Sequence, residues 1–333
     1  EQALRIQTDW MDEVIRTGQY HDLNVSNTAS YDKGSAFISF GYRQDKSVNV
    51  NNDLQRFTGR INADIEPVKN FTTGVKISFS YSDNDRVKSE QAGAIGTGGG
   101  KKGGFSTATR GALPWFPIYD ASDQTGYWSP ASGVNLTAGL DRKNILDKVK
   151  QYRSIGGIFA DFKLPVEGWS VRGEVSYDYI QNNSELWVAA ALREEENTFA
   201  HDRATTYQGI NYNVYTSFDR TIGDHYFNAV VGTESHLKSR HERNMEGMDL
   251  IGQYQELGNP QTRLEMTSNF KDERYLRAYF SRATYKFKDR YLIGFSFRSD
   301  GSSKFDEDYR WANFPAVKAG WIISDEPFLS SVK

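Results

Sequence analysis

The sequence predicts an all-β fold, specifically an antiparallel transmembrane β-barrel, and three observations support that prediction. Apolar and polar residues alternate with a period of two over about eleven segments, many of them longer than an ordinary strand of about five or six residues. Short and long connections alternate between these segments. No run of about 18 apolar residues is present that could cross a bilayer as a helix.

Composition narrows the classes of protein that fit. The chain has 333 residues, of which 14% are aromatic, and this aromatic content argues against disorder. A net charge of -3 gives no basic face for nucleic acid. The absence of cysteine excludes a disulfide scaffold and thiolate chemistry. Because the chain opens at Glu1 without a leader pattern or an initiating Met, we expect a mature chain or part of one.

The segment WSVRGEVSYDY (169–179) shows the alternation most clearly, with an apolar set on one face and a charged set on the other. The other segments with this pattern are, in order, FTGRINADI (57–65), TGVKISFSY (73–81), YFSRATYKF (279–287) and YLIGFSFR (291–298). Such strands bury one face, either in a soluble core or in lipid. For a barrel we expect Arg60, Lys76, Arg172, Glu174 and Arg282 to face the lumen and Ile61, Ile77, Val171 and Val175 to face lipid.

The connections favour the membrane alternative. The short connections are 29–34, 66–70, 165–168, 221–225 and 288–290; the long ones are about 44–54, 86–151, 182–205, 239–269 and 299–313. Outer-membrane barrels have short periplasmic turns and long extracellular loops, whereas a sandwich does not require this alternation. We expect one barrel domain over 1–333, with 1–21 on the extracellular side and 22–333 supplying strands and loops. Because eleven strands would leave two unpaired edges, we expect them to be part of a larger barrel. The predicted total is 22 strands.

The C-terminal stretch RYLIGFSFRSDGSSKFDEDYRWANFPAVKAGWIISDEPFL (290–329) carries a family signature. It resembles the SusC/RagA family of TonB-dependent outer-membrane transporters, in which R-x-D-G-S-S-x-F is followed by F-P-[SA]-x-x-x-G-W-x-[IL]-S-x-E-x-F. The matching residues are Arg298, Asp300, Gly301, Ser302, Ser303, Phe305, Phe314, Pro315, Gly320, Trp321, Ser324, Glu326 and Phe328. The stretches 8–30 and 42–64 resemble the family's segment after the plug and its next hairpin, although Asn27-Thr28 stand where a Gly pair is common.

The signature is interpreted as a fold-determining turn without a catalytic role. Phe295 and Phe297 are predicted to lie in a lipid-facing row or in an aromatic girdle row, with Arg298 in the lumen and Asp300-Gly301 at the start of an extracellular turn. Pro315 would lie near the start of the descending strand, where a missing N–H costs least.

The resemblance implies energised import of oligosaccharides or, less often, peptides across the outer membrane of a Gram-negative bacterium. It implies a SusD-like surface lipoprotein as partner, and TonB acting through a plug whose sequence this chain does not contain. No enzyme activity and no cofactor are expected. The alternatives are a passive porin or structural barrel, and a soluble β-rich carbohydrate hydrolase, which would need inward apolar faces and a carboxylate pair about 5 to 10 Å apart.

Other candidate sites are weak. GTGGGKKGG (96–104) lacks the Ser or Thr of a P-loop, and no G-x-S-x-G occurs. REEEN (193–197) is interpreted as a solvated loop and not as an acid/base pair. The five histidines lack metal-site spacing; His236 and His241 would lie on opposite faces of a strand.

One loop is a candidate for ligand or partner contact. LPWFPIYDASDQTGYWSP (113–130) concentrates aromatic residues in the longest connection, where three prolines limit the entropy lost on binding. The candidates are Trp115, Phe116, Tyr119, Tyr127 and Trp128. Aromatic faces stack on sugar rings or peptide side chains, but the same residues could form the loop's own small core.

Overall fold

The computed structural model is dominated by an antiparallel sheet of eleven strands. It describes residues 6–86, 113–122, 126–128, 135, 137–190, 197–250, 255, 257 and 263–332. A short helix, α1, spans Trp10–Val14 and precedes the sheet. The strands are β1 Gln19–Tyr31, β2 Gly34–Lys46, β3 Asp53–Val68, β4 Phe71–Asp85, β5 Ile145–Lys163, β6 Trp169–Val188, β7 Phe199–Ile222, β8 His225–Met248, β9 Arg263–Phe287, β10 Tyr291–Ser302 and β11 Trp311–Trp321. Short 3₁₀ turns lie at Glu307–Tyr309, Ile323–Asp325 and Pro327–Val332.

Each strand pairs with the strands before and after it in the chain, so the sheet is a simple meander. In an antiparallel meander, successive connections lie at opposite ends of the sheet. The short-turn rim carries residues 32–33, 69–70, 164–168, 223–224 and 288–290, and the long-loop rim carries 47–52, 86–144, 189–198, 249–262 and 303–310. The predicted fold class and the predicted separation of short and long connections are confirmed.

The two faces of the sheet differ in chemistry. Residues directly opposite each other in neighbouring strands share a face, and Ile38, Ile61 and Ile77 form one such row. The row beside it contains Ser39, Arg60 and Ser78 on the opposite face. The register puts Arg60, Lys76, Arg172, Glu174, Arg282 and Arg298 on one face, here called the polar face, and Ile61, Ile77, Val171, Val175, Phe295 and Phe297 on the other, the apolar face. This segregation confirms the predicted division of the strands.

The apolar face has the height of a membrane. Along β4, apolar-face residues run from Phe71 through Val75, Ile77 and Phe79 to Tyr81. This stretch is about 34 Å long at a rise of about 3.4 Å per residue. At the tilt of about 45° that is typical of membrane barrels, it covers about 25 Å, the height of the apolar band of an outer-membrane barrel.

Beyond this band the strands continue toward the long-loop rim with polar residues on both faces. On the apolar-face side, Lys148 Nζ lies 3.1 Å from Asp83 Oδ2. β6 extends to Val188 and β7 begins at Phe199, while β8 extends to Met248 and β9 begins at Arg263. The predicted loops 182–205 and 239–269 were therefore too long. The loss of alternation reflects the end of the band and not the end of the strand.

The part of the sheet that extends beyond the apolar band toward the long-loop rim is covered on both faces. On the polar face, Leu186, Val188 and Phe199 bury against Ala138 from the long β4–β5 connection. On the apolar face, Trp187 and Ala200 bury against Leu250. These covers stabilise strand ends that lie above the apolar band.

No helix among the described residues is long and apolar enough to cross a membrane.

Candidate functional sites on the polar face and at the long-loop rim

The polar face of β5 and β6 carries a mixed-charge cluster. Arg172 lies between Asp161 and Glu174, with N–O distances of 3.7 and 3.5 Å. Its guanidinium carbon lies 4.1 Å from the ring centre of Phe159, a cation–π contact. Phe159 is thus an aromatic platform under cationic groups on an otherwise hydrophilic face. Its position explains why a large apolar residue occurs there.

A second cluster joins β8, β9 and β10. Arg298 Nε donates to Asp300 Oδ1 at 2.7 Å, and its guanidinium also contacts Glu234 on β8. Glu234 lies 3.5 Å from His236 Nε2. The register places Ala278 of β9 between Glu234 and Asp300, and Ala278 is fully buried beneath the cluster. The polar face therefore presents paired charges of both signs.

In the long β4–β5 connection, residues 118–120 and 126–128 form a small hairpin. Tyr119 and Tyr127 form a bridge, and Trp128 N donates to Ile118 O at 3.0 Å. The buried amide of Asn135 donates to Ile118 O at 2.7 Å and to Trp128 O at 3.0 Å. Asn135 thus holds both sides of the hairpin.

The segment before β1 is strapped against this loop. Thr8 donates from its backbone N–H to Pro114 O and from its hydroxyl to Phe116 O, both at 2.7 Å. The Trp10 indole donates to Leu113 O at 2.9 Å. Asp9 caps α1 by accepting hydrogen bonds from the N–H groups of residues 11 and 12. The alternating pattern of the sequence does not predict this strap, although the Asp9 cap and the acidic first turn of α1 are signals of a helix start.

The five aromatic candidates fall into two groups. Phe116 packs on Trp128 with ring centres 4.3 Å apart and touches the cluster of Trp10, Val14 and Leu140. The Tyr127 hydroxyl donates to Asp141 Oδ2 at 2.8 Å, and burial together with this carboxylate raises the pKa of Tyr127. These three side chains form the loop's own core. In contrast, Trp115 and Tyr119 are 53% and 67% exposed.

The signature motif is placed differently from its predicted turn. Asp300 and Gly301 still belong to β10, opposite Ala312 and Trp311, so the turn begins only after Ser302. The backbone ladder continues because Gly301 lets the Trp311 ring lie against it; an added Cβ would meet that ring at 2.8 Å. Ser303 then binds the middle of β9: its hydroxyl accepts a hydrogen bond from Tyr275 N at 2.9 Å, and its own N–H donates to Tyr275 O at 2.9 Å.

The end of the signature forms a clamp at the short-turn rim. Glu326 accepts hydrogen bonds from the Tyr291 hydroxyl at 2.5 Å and the Trp321 indole at 3.0 Å, and lies 3.5 Å from an Arg290 nitrogen. The Tyr291 hydroxyl, followed by Trp321 and Arg290, lowers the pKa of Glu326. Phe328 packs against Trp321 with ring centres 6.5 Å apart. The clamp fixes the chain where it leaves β11.

The remaining predicted sites contribute little. His236 and His241 pair with residues on opposite faces of β7, as expected. Within the described part of the chain, no three His, Asp or Glu residues group so as to hold a metal ion. Residues 96–104 and 193–196 and Pro130 lie outside the described residues.

The meander, its two unlike faces and its uneven rims define a wall of the outer-membrane β-barrel class. No family model matches the chain. It is 25% identical over 98% of its length to the TonB-dependent receptor SusC of Bacteroides thetaiotaomicron, and 26% identical over 97% to TonB-dependent receptor P3 of Formosa agariphila. It spans about one third of the length of these relatives, 33% and 32% respectively.

A solved structure, that of the RagAB peptide transporter, has the same fold. The TM-score is 0.76 at 17% identity, covering 97% of this chain and 36% of that one. The predicted resemblance to the SusC/RagA family of TonB-dependent receptors is confirmed.

Proposed function

We propose that this chain forms part of the barrel wall of a TonB-dependent importer in the outer membrane of a Gram-negative bacterium. The observation that carries the proposal is the combination of similarity to SusC along 98% of the chain with a wall whose two faces are apolar and charged. The alternatives, a passive porin and a soluble hydrolase, have no comparable support.

In this proposal the apolar face contacts lipid and the polar face lines the lumen. The long-loop rim is extracellular and the short-turn rim periplasmic. Among the described strands, β1 and β11 each have one unpaired edge. Hydrocarbon does not tolerate unpaired backbone groups, so the wall closes with further strands, and we propose 22 in total. The domain division, one barrel domain over 1–333 with 1–21 on the extracellular side, belongs to this proposal; β1 begins slightly earlier, at Gln19.

The proposed cargo is an oligosaccharide or a peptide, delivered with a SusD-like lipoprotein seated on the long-loop rim and with TonB acting through a plug. The RagAB transporter is described as a peptide transporter, which keeps peptides beside glycans as cargo. The mixed charges of the polar face suit hydroxyl-rich and zwitterionic solutes alike, because Arg172 and Arg298 each have carboxylates beside them.

The test is growth and uptake by the source bacterium. Deleting the whole gene should abolish growth on one glycan or peptide mixture as sole nutrient, and deleting the tonB gene should abolish it equally. Restoring the gene should restore growth. Uptake that persists without TonB would contradict the import proposal and favour a passive pore.

Within this function we propose Trp115 and Tyr119 as contacts for the cargo or the lipoprotein. Each stacked ring contributes about 0.5 to 1.5 kcal/mol beyond its buried area, so the double change to alanine should weaken binding about tenfold. Binding is measured on the full transporter with and without its lipoprotein. Tyr309→Ala is the control, because Tyr309 is an aromatic residue even more exposed at this rim, at 80%, but lies in a different loop.

The outcomes separate the two contact partners. Lower cargo affinity with normal lipoprotein docking assigns the pair to cargo, and the reverse assigns it to the lipoprotein. If neither binding changes, the two residues have no contact role. Phe116→Ala and Trp128→Ala are unsuitable for this test because they remove the loop's core.

A further inference from the structure

A groove of about 530 Å³ lies on the apolar face, midway along β7, β8 and β9 and at the long-loop ends of the shorter β10 and β11. Its principal lining residues are Tyr212, Leu237, Tyr275, Arg277, Arg310 and Trp311. The register places four of these residues on the apolar face, in neighbouring rows: Tyr212, Leu237, Tyr275 and Arg277. Glu234 and His236 lie on the opposite, polar face, which is proposed to line the lumen. The groove therefore opens away from the proposed import path.

Arg277 is a cation on the apolar face, in the row that also contains Tyr212 and Ser235. Its Nε donates only a long hydrogen bond, 3.4 Å, to Ser235 Oγ, and among the described residues it has no ion-pair partner. No aspartate or glutamate lines the groove. Further along β9 on the same face, Lys271 is instead paired with Glu273 at 2.8 Å. Arg277 thus retains its capacity to bind an anion.

The groove lies at the depth where a membrane meets water. Trp311 stacks on Tyr279 with ring centres 5.7 Å apart, and Gly301, directly opposite Arg277, leaves room for the Trp311 ring. Tryptophan and tyrosine concentrate at the membrane–water interface. Arg310, from the loop after β10, adds a second cation at the groove's upper side; its Nη1 lies 3.6 Å from Glu307 Oε1, which is highly exposed, and its Nε donates to Phe305 O at 3.2 Å.

A second, apolar hollow of about 470 Å³ continues along the same strands. Its side-chain lining includes Phe218, Phe227, Ala229, Ala283, Phe295 and Val317, all on the apolar face. Ala229 and Ala283 form its floor because they are small residues between aromatic ones. Ala283 lies about 20 Å along β9 from Arg277, toward the centre of the apolar band.

We propose that this face binds a phosphate-bearing membrane lipid, with the phosphate at Arg277 and Arg310 and an acyl chain reaching the hollow at Ala229 and Ala283. Guanidinium groups bind phosphate oxygens through paired, charge-assisted hydrogen bonds. The aromatic wall accommodates the headgroup region, and the alanine floor accommodates hydrocarbon. The proposal rests on the proposed placement of the apolar face in the outer membrane.

The test uses the full-length transporter in detergent micelles, with bound lipid counted by native mass spectrometry. The probes are lipid A carrying its phosphates and the same lipid after removal of the phosphates. Wild type should retain the phosphorylated form preferentially. Arg277→Gln should bind it about tenfold more weakly, equivalent to about 1.4 kcal/mol. The matched control, Lys271→Gln, removes a paired cation from the same strand and face and should bind like wild type.

Two further measurements make the result decisive. Ala283→Leu, which fills the hollow, should lower lipid retention, and inorganic phosphate should not displace the lipid. Equal lipid binding by wild type and Arg277→Gln, or displacement by inorganic phosphate, would overturn the proposal. Recovery of each variant in the outer-membrane fraction is measured separately: absence of the wild type there would refute the proposed function, whereas normal recovery with unchanged lipid binding refutes only the lipid site.

Discussion

Single residues at the two rims hold the sheet by satisfying several groups at once. Glu326 is the clearest case, because one carboxylate accepts hydrogen bonds from the Tyr291 hydroxyl and the Trp321 indole and also pairs with Arg290. At the opposite rim, the buried Asn135 amide holds both sides of the aromatic hairpin. In both places a polar side chain supplies hydrogen bonds where the regular backbone hydrogen bonds of a strand or loop end.

The stability contributed by Glu326 should depend on pH. Its pKa in the folded state is lowered, chiefly by the Tyr291 hydroxyl, below the unfolded value of about 4.3. The contribution is therefore present above about pH 4.3 and lost as pH falls through the lower folded-state pKa. Glu326→Gln should lower the urea midpoint of the refolded full-length protein at pH 7, and the difference from wild type should shrink at pH 3.

The control for this experiment is Asp325→Asn, because Asp325 is the neighbouring carboxylate and its side chain accepts a hydrogen bond only from the Ser324 hydroxyl among the described residues, at 3.2 Å. It should leave the midpoint unchanged at both pH values. A difference between Glu326→Gln and wild type that stays constant with pH would show that the clamp does not depend on the carboxylate charge.

The aromatic loop at residues 113–130 shows why the sequence predicts only part of the site at the long-loop rim. The aromatic cluster is visible as a local run in 113–130, but its division into core and exposed members is not. Phe116 is buried by Trp10 and Leu140, which are far from it in sequence. Only the folded chain shows that Trp115 and Tyr119 are left exposed while Phe116, Tyr127 and Trp128 are packed.

At the scale of elements, the strands are predictable where one face is apolar and unpredictable where neither is. Within the band, neighbours such as Val171 and Arg172 alternate between apolar and charged, and their faces are predicted correctly. Above the band, residues 181–185 of β6 carry polar side chains on both faces, so the alternating pattern ends eight residues before the strand does. There the strand is maintained by its ladder with β5 and β7 and by the loop residues that cover it.

The short turns depend on residues with positive φ, and two glycines allow their backbone and steric effects to be separated. Gly223 has φ +59 with nothing within 4 Å of an added Cβ. Gly168 has φ +84, and an added Cβ would lie 2.1 Å from Asp219 O. Gly223→Ala should therefore cost only backbone strain, about 1 kcal/mol in the free energy of unfolding, and Gly168→Ala clearly more.

The measurement is urea unfolding of both variants beside wild type in the same lipid vesicles. The reverse substitution is a useful comparison: Asp289 has φ +52, so Asp289→Gly should be neutral or stabilising by up to about 1 kcal/mol. Equal losses for the two alanine variants would mean that the β5–β6 turn moves to relieve the contact with Asp219.

The alternating connections make the two rims of the whole sheet different, so the sheet has a defined top and bottom. This property was predictable from spacing alone, because tight turns and long loops cannot exchange ends in a meander. The strand lengths were not predictable in the same way. They rise from 13 residues in β1 to 25 in β9 and fall to 11 in β11.

The direction can be tested with single cysteines in a cysteine-free background of the full-length protein, since this chain itself has no cysteine. Lys304→Cys in the β10–β11 loop should react with a membrane-impermeant maleimide on intact cells. Glu167→Cys, which is highly exposed in the β5–β6 turn, should react only after the outer membrane is opened. Labelling of both on intact cells would contradict the proposed orientation.

Because the strands differ in length, some parts of the wall would be more exposed than others on the outside of the cell. In the proposed orientation, the tips of β7, β8 and β9 project furthest outward, while the tops of β1 and β11 stay close to the membrane surface. Phage tail fibres, antibodies and secreted proteases would therefore encounter the tall tips first. Selection by such agents would act on the outer ends of β7, β8 and β9, while the clamp at Glu326, on the inner side of the membrane, would be shielded from it. The same wall would thus change quickly at one end and slowly at the other.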